Sequence, residues 1–351
     1  MRTSHSKNHS TQKLLLARIV IFALISLLTS EKINAQDALH SQYYATPLLV
    51  APSFAGNSLG SRAFLNFRDQ WANLPGAFIT YSAAIDNNFY NLNSGMGLMV
   101  QRDEAGSAKL GTTSVSAMYS YRFNVVDDWR IRPGIGFTFG QRSLNYNSAI
   151  FGDQISVTGV DNVTIEQRNA PYSYWDASAS VVVYNRVLWL GLCADHLMKP
   201  NLSFGKNNAQ LPLLWKQFGG INIPMRNRVG KATEIVTVNY LLLASKIYQQ
   251  YEIGVNWYHA PLLLGFAWRG VPVLKDTYDS VILTVGLAFG NLAFGYSYDY
   301  TINQLSSPTG GSHEITISIG FNEGGKKMSK GAIPCPDVVK FRMFGDKESF
   351  R

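Results

Sequence analysis

The chain has only two cysteines, Cys193 and Cys335, and neither sits in a CxxC pair or a Cys/His cluster. There is therefore no disulfide framework or thiolate metal site to read. Charge is also scarce. Asp, Glu, Lys and Arg make up 15% of the residues, well under the roughly 25% of an ordinary soluble domain. No apolar run beyond the amino-terminal region is long enough for a membrane-spanning helix, so any later crossing must be made by strands. Histidines are few: in Asp195-His196 the two side chains point to opposite faces of a strand and cannot form a dyad together. No nucleophile and base share a face at useful spacing, which argues against an enzyme, and neither cofactor nor metal is expected.

The net charge of +8 suggests a nucleic-acid partner until it is divided along the chain. Residues 1–35 hold Arg2, Lys7, Lys13, Arg18 and Lys32 against Glu31. Residues 322–351 carry a further excess through Lys326, Lys327, Lys330, Lys340, Arg342, Lys347 and Arg351, opposed by Glu323, Asp337, Asp346 and Glu348. The body between them is almost neutral and offers no face to a phosphate backbone.

Aromatic residues reach 13%, mostly Tyr and Phe, and there are 30 glycines. Their placement is periodic. In 290–321, Leu292, Phe294, Tyr296, Tyr298 and Tyr300 alternate with Asn291, Ala293, Gly295, Ser297 and Asp299. Ile315, Ile317, Ile319 and Phe321 then alternate with Glu314, Thr316, Ser318 and Gly320. A strict period of two marks strands with two unlike faces. The same pattern runs from Ser61 onward, as in Val115, Ala117, Tyr119 and Tyr121 against Ser116, Met118, Ser120 and Arg122. The polar faces are Gly, Ser, Thr, Asn and isolated charges, not the Lys and Glu of a sandwich exterior. That chemistry predicts an all-β, transmembrane antiparallel β-barrel of about 14 strands, its apolar faces toward outer-membrane lipid.

Around that barrel the chain divides into segments. Residues 1–35 read as a secretory signal peptide, with a basic start, an apolar Ile19–Leu28 and Ala35 before the cut. Residues 36–60 do not alternate; Pro47 and Pro52 punctuate an aromatic leader, with a short helix expected near Ala38 to Tyr44. It is read either as a packed leader or as a segment tucked against or into the barrel mouth. The barrel proper is 61–321, and 322–351 is a basic tail. Short connections on one rim and long loops such as Ser143–Pro171 on the other fit the outer membrane of a Gram-negative bacterium. An even strand count puts both ends on the periplasmic side.

The polar faces gather charges: Arg62, Arg68, Arg122, Arg130, Arg132 and Arg142 with Asp86, Asp176, Asp195, Glu252, Asp299 and Glu314. They read either as a constriction in a channel or as an ion-pair network packing a narrow lumen. Mixed signs argue against an ion-selective pore. Gly95–Gly97 reads as close packing, not a phosphate loop, because no helix follows.

The ordered series DALHSQYYATPLLVAPSFAG, LNFRDQWANLPGAFITYSAAID, GMGLMVQRDEAG, LGTTSVSAMYSYRF and YSYDYTINQLSSPTGGSHEITISIGF resembles the PorP/SprF family of Bacteroidota. The family's leader pattern falls on Gln42, Tyr43, Tyr44, Pro47, Pro52, Phe54, Ala55 and Gly56. Its first-strand signature falls on Arg68, Gln70, Trp71, Pro75 and Gly76, and its closing signature on Ser312, His313 and Glu314. The resemblance implies a non-enzymatic barrel of the type IX secretion and gliding machinery. It would support secretion or surface anchoring of a large adhesin with a type IX carboxyl-terminal signal. Through its tail it would contact periplasmic, peptidoglycan-linked proteins. A passive diffusion channel for a small solute is the alternative.

Overall fold

The computed structural model describes residues 38–58, 60–125, 128–145, 171–203, 209–226, 232–246, 248–270, 278–302 and 309–321, with pairs at 155–156 and 159–160. The expected signal peptide and tail fall outside these residues.

Alternation decides which way each side chain points. β1 (Ser61–Gln70) turns Leu65 outward, 59% exposed, and buries Arg62, Phe64, Asn66 and Arg68. β2 (Phe78–Phe89), β3 (Ser94–Ala105) and β4 (Leu110–Tyr121) follow as antiparallel neighbours. β5 (Phe123–Asn124) is a two-residue stub against β6 (Arg130–Ser143), while β7 (Ile155–Ser156) and β8 (Gly159–Val160) pair with each other. β9 (Tyr172–Tyr184), β10 (Leu188–Asp195), β11 (Leu214–Arg226), β12 (Ala232–Ser245) and β13 (Gln249–His259) continue the meander. β14 (Leu262–Gly270), β15 (Tyr278–Phe289), β16 (Leu292–Thr301) and β17 (Ser312–Phe321) complete it.

The sheet closes on itself. β4 pairs with β6, and β1 pairs with β17 in register from Ser61↔Phe321 to Gln70↔Ser312. Fourteen long strands therefore form a closed antiparallel barrel, the fold class the sequence predicts. Closure leaves no unpaired edge among them. Leu98, Phe137, Ile253, Phe266 and Leu283 are all more than half exposed on its outside. An apolar belt of that extent is a surface for lipid, not water.

The two rims differ. Ser61 and Phe321 lie on the rim with the tight connections, including Tyr90–Asn93, 185–187, Ala260-Pro261 and Gly290–Asn291. At Gly290 the backbone takes φ +59°, which a glycine adopts without strain. The long connections, 144–171, 196–213, 271–277 and 302–311, leave from the opposite rim.

Residues 38–58 lie inside the barrel. The helix expected near Ala38 to Tyr44 is absent; two single-turn 3-10 helices occur instead, at Pro47–Leu49 and Pro52–Phe54. The reason is tertiary. The amides of Ser41 and Gln42 are taken by the Glu314 carboxylate, at 2.7 and 3.2 Å, so they cannot join a helical ladder. The two prolines then set each short turn from its first position.

Candidate functional site: a plugged lumen

The inward faces carry polar residues, such as Arg62, Asn66 and Arg68 on β1 and Ser297, Asp299 and Thr301 on β16, and the leader packs against the inner wall. Tyr43, Tyr44, Val50, Ala51 and Phe54 form an apolar cluster with Val182, Tyr184, Trp189, Cys193 and Phe218. Leu48 and Ala55 join Phe64, Ala84, Met99 and Met118 on the other side. Glycines make room for this. A Cβ at Gly134 would overlap the Ser53 backbone, and one at Gly95 the Ala55 carbonyl.

The plug has a direction. At its amino end Ser41 meets Arg68, Arg269, Asp299 and Glu314. These residues lie within two positions of the strand ends at Gln70, Gly270, Thr301 and Ser312, so this cluster is near the rim of long connections. At its carboxyl end the Gly56 carbonyl accepts from Arg132 at 2.9 Å, and Ser58 accepts from Asn88 at 3.0 Å, near the other rim. Between them, Ser53 donates to Ser180, Ser120 to the Ala55 carbonyl, Lys216 to the Leu49 carbonyl, and Asn239 to Tyr43.

The cluster around Ser41 is almost fully buried. Arg68, Asp299 and Glu314 are 2%, 2% and 0% exposed. Charges removed from water are tolerable only when paired and fully hydrogen-bonded. Here the Ser41 hydroxyl receives Arg68 Nη1 at 2.9 Å and Arg269 Nη2 at 2.7 Å, and donates to Asp299 Oδ2 at 2.6 Å. Asp299 also takes Arg68 Nη2 and Arg269 Nη1, at 2.8 and 3.0 Å. Glu314 accepts from Asn66, Arg68 and the two plug amides. Glu252 completes the group by bonding Arg269.

The lumen charges named from sequence do not form one network. Arg68, Glu252, Asp299 and Glu314 come together with the plug. Arg62 pairs with Asp86 at 3.0 Å near the opposite rim. Arg132 holds Ser120 and Gly56, Arg122 holds Asn93, Arg130 reaches the Trp129 carbonyl, and Arg142 reaches the Leu202 carbonyl. Asp176 bonds His196 at 2.6 Å, and Asp195 pairs with Lys216 at 2.7 Å. Sequence reasoning missed Arg269 and Lys216. The parity of β14 marks Arg269 as inward, since Leu264, Phe266 and Trp268 take the outer face.

The family-motif residues separate likewise. Gln42, Tyr43, Tyr44, Pro47, Pro52, Phe54 and Gly56 all lie in the buried plug, where Gln42 also donates to the Glu314 carbonyl at 2.9 Å. Gln70, Trp71 and Pro75 lie instead at the long-connection rim, Trp71 donating to the Gly311 carbonyl at 2.9 Å.

The family model of the type IX secretion system membrane protein PorP/SprF matches residues 32–319. The chain belongs to this family. No curated protein matches the sequence. Among solved structures the chain is similar to the CymD monoaromatic hydrocarbon channel, at 10% identity and TM-score 0.42, covering 82% of this chain and 93% of that one. It is also similar to the outer membrane protein Omp33 of Acinetobacter baumannii, at 6% identity and TM-score 0.40, covering 74% and 96%. The KdgM porin in complex with disordered oligogalacturonate is similar at 10% identity and TM-score 0.35, covering 74% and 99%. The PorP/SprF family is a membrane component of a secretion system, not a class of enzyme, and its barrel fold belongs in the outer membrane.

Proposed function

We propose that this PorP/SprF barrel is a sealed outer-membrane scaffold that holds or passes an adhesin-type cargo at the cell surface. The observation that carries this reading is the plug. A lumen filled by residues 38–58, and clamped through Ser41 to four buried charged residues, is poorly suited to passive diffusion. In this reading the rim of long connections, with Gln70, Trp71 and Pro75, faces outward and meets the cargo. The rim bearing Ser61 and Phe321 faces the periplasm, and the chain beyond Phe321 reaches peptidoglycan-linked machinery. The motif residues of the plug, Gln42 through Gly56, then serve to seal the barrel and shape its outer mouth.

The test is affinity purification from detergent-solubilised outer membrane, comparing the full chain with one truncated after Phe321. Co-purification of a large surface adhesin with both forms, and of periplasmic components with the full chain alone, is the expected result. Recovery of both forms without partners, together with ion conductance in planar bilayers, would replace this reading with a diffusion channel.

A further inference from the structure

A small cleft, with about 50 Å³ of free volume, opens beside the amino end of the plug. Leu39 and Leu49 of the plug form one side of it; Leu214, Leu241 and Leu243 of β11 and β12 form the other. Its polar lining is not closed. Gln250 is only 9% exposed, yet its Oε1 has no hydrogen-bond partner among the described residues. A buried amide oxygen left in that state costs on the order of 1–3 kcal/mol, so an N–H donor entering the cleft is favoured. Two positions along the same inward face of β13, Glu252 bonds Arg269 through Oε2 alone, at 2.9 and 2.8 Å. That pair leaves Oε1 outside the Arg269 bonds.

Charge points the same way. Lys216, also in the lining, is neutralised by Asp195 at 2.7 Å. The adjoining buried cluster sets Arg68 and Arg269 against Glu252, Asp299 and Glu314, two cations to three carboxylates. We propose that this cleft binds a primary ammonium group on an apolar stem, the stem lying on the leucines and the ammonium between Gln250 Oε1 and Glu252 Oε1. A lysine side chain from a polypeptide or a free alkylamine supplies that chemistry. The cargo-lysine form rests on the secretion reading above; the site itself does not.

The test titrates the detergent-purified full chain with n-butylammonium, and with n-butanol and butyrate as controls, reading the melting temperature. Butylammonium alone is expected to raise it, and Glu252→Gln and Gln250→Leu are each expected to weaken that response by roughly tenfold. Gln250→Leu leaves the Arg269 ion pair intact and remains informative if Glu252→Gln fails to fold. An equal response to butanol, or none to butylammonium, overturns the site. Cargo co-purification then separates the sources. Cargo lost from Gln250→Leu at unchanged barrel yield assigns a cargo lysine. Cargo retained by a variant that no longer responds to butylammonium assigns a free amine. Cargo absent even from the parent chain overturns the secretion reading and leaves the site to be judged by the titration alone.

Discussion

The Ser41 hydroxyl donates to Asp299 Oδ2 at 2.6 Å, tying the plug to a strand 258 residues later in the chain. The same oxygen accepts from Arg68 and Arg269, so one small side chain organises two guanidiniums and a carboxylate. Ser41→Ala removes all three bonds and leaves charged partners buried without a replacement. Plug docking is expected to weaken by about 2–4 kcal/mol. Limited proteolysis should then cut within residues 38–58 while the barrel keeps its heat-resistant mobility on a gel.

Gly95 sits where a Cβ would overlap the Ala55 carbonyl. Gly95→Val is therefore expected to displace the carboxyl end of the plug without breaking the β2–β3–β4 pairing around it. Planar-bilayer recording should show conductance from this variant and little from the parent chain. A silent variant that melts like the parent would mean the plug shifts and still seals.

Burial in the plug holds His40 neutral, its pKa lowered to about 4 despite Glu314 at 4.0 Å. An undocked imidazole titrates near 6.5, so between these values the undocked state binds more protons than the docked one. The stability this neutral imidazole contributes is complete above pH ~6.5 and falls away as the pH drops toward ~4, by about 3 kcal/mol. Melting curves of the parent chain and His40→Gln between these pH values should diverge, the parent losing more on acidification.

Leu283 lies near the middle of β15 and is 54% exposed on the outer face. Leu283→Arg should cost about 2–4 kcal/mol of folding stability in lipid vesicles, because the guanidinium faces hydrocarbon at the midplane. Refolding titrations in vesicles measure the loss. A neutral result would mean that something other than lipid covers this face.

The barrel was legible in the chain because its signal is local. Leu292 to Tyr300 and Ile315 to Phe321 alternate strictly, and a strand's period of two converts that order directly into a lipid face and a lumen face. Parity likewise sends Arg68, Glu252, Asp299 and Glu314 inward, and it would have added Arg269. Sequence alone did not decide which of these charges meet. Arg62 and Arg68 share one face of one strand, yet Arg62 pairs with Asp86 on β2 while Arg68 pairs with Glu314 on β17 and Asp299 on β16 beside the plug. The leader itself has no period to read. Its place in the lumen, its direction from Ser41 at one rim to Gly56 at the other, and the cleft it forms with Gln250 arise from contacts across hundreds of residues. Local propensity carries no record of such contacts. Only closure of β1 on β17 brings their partners together.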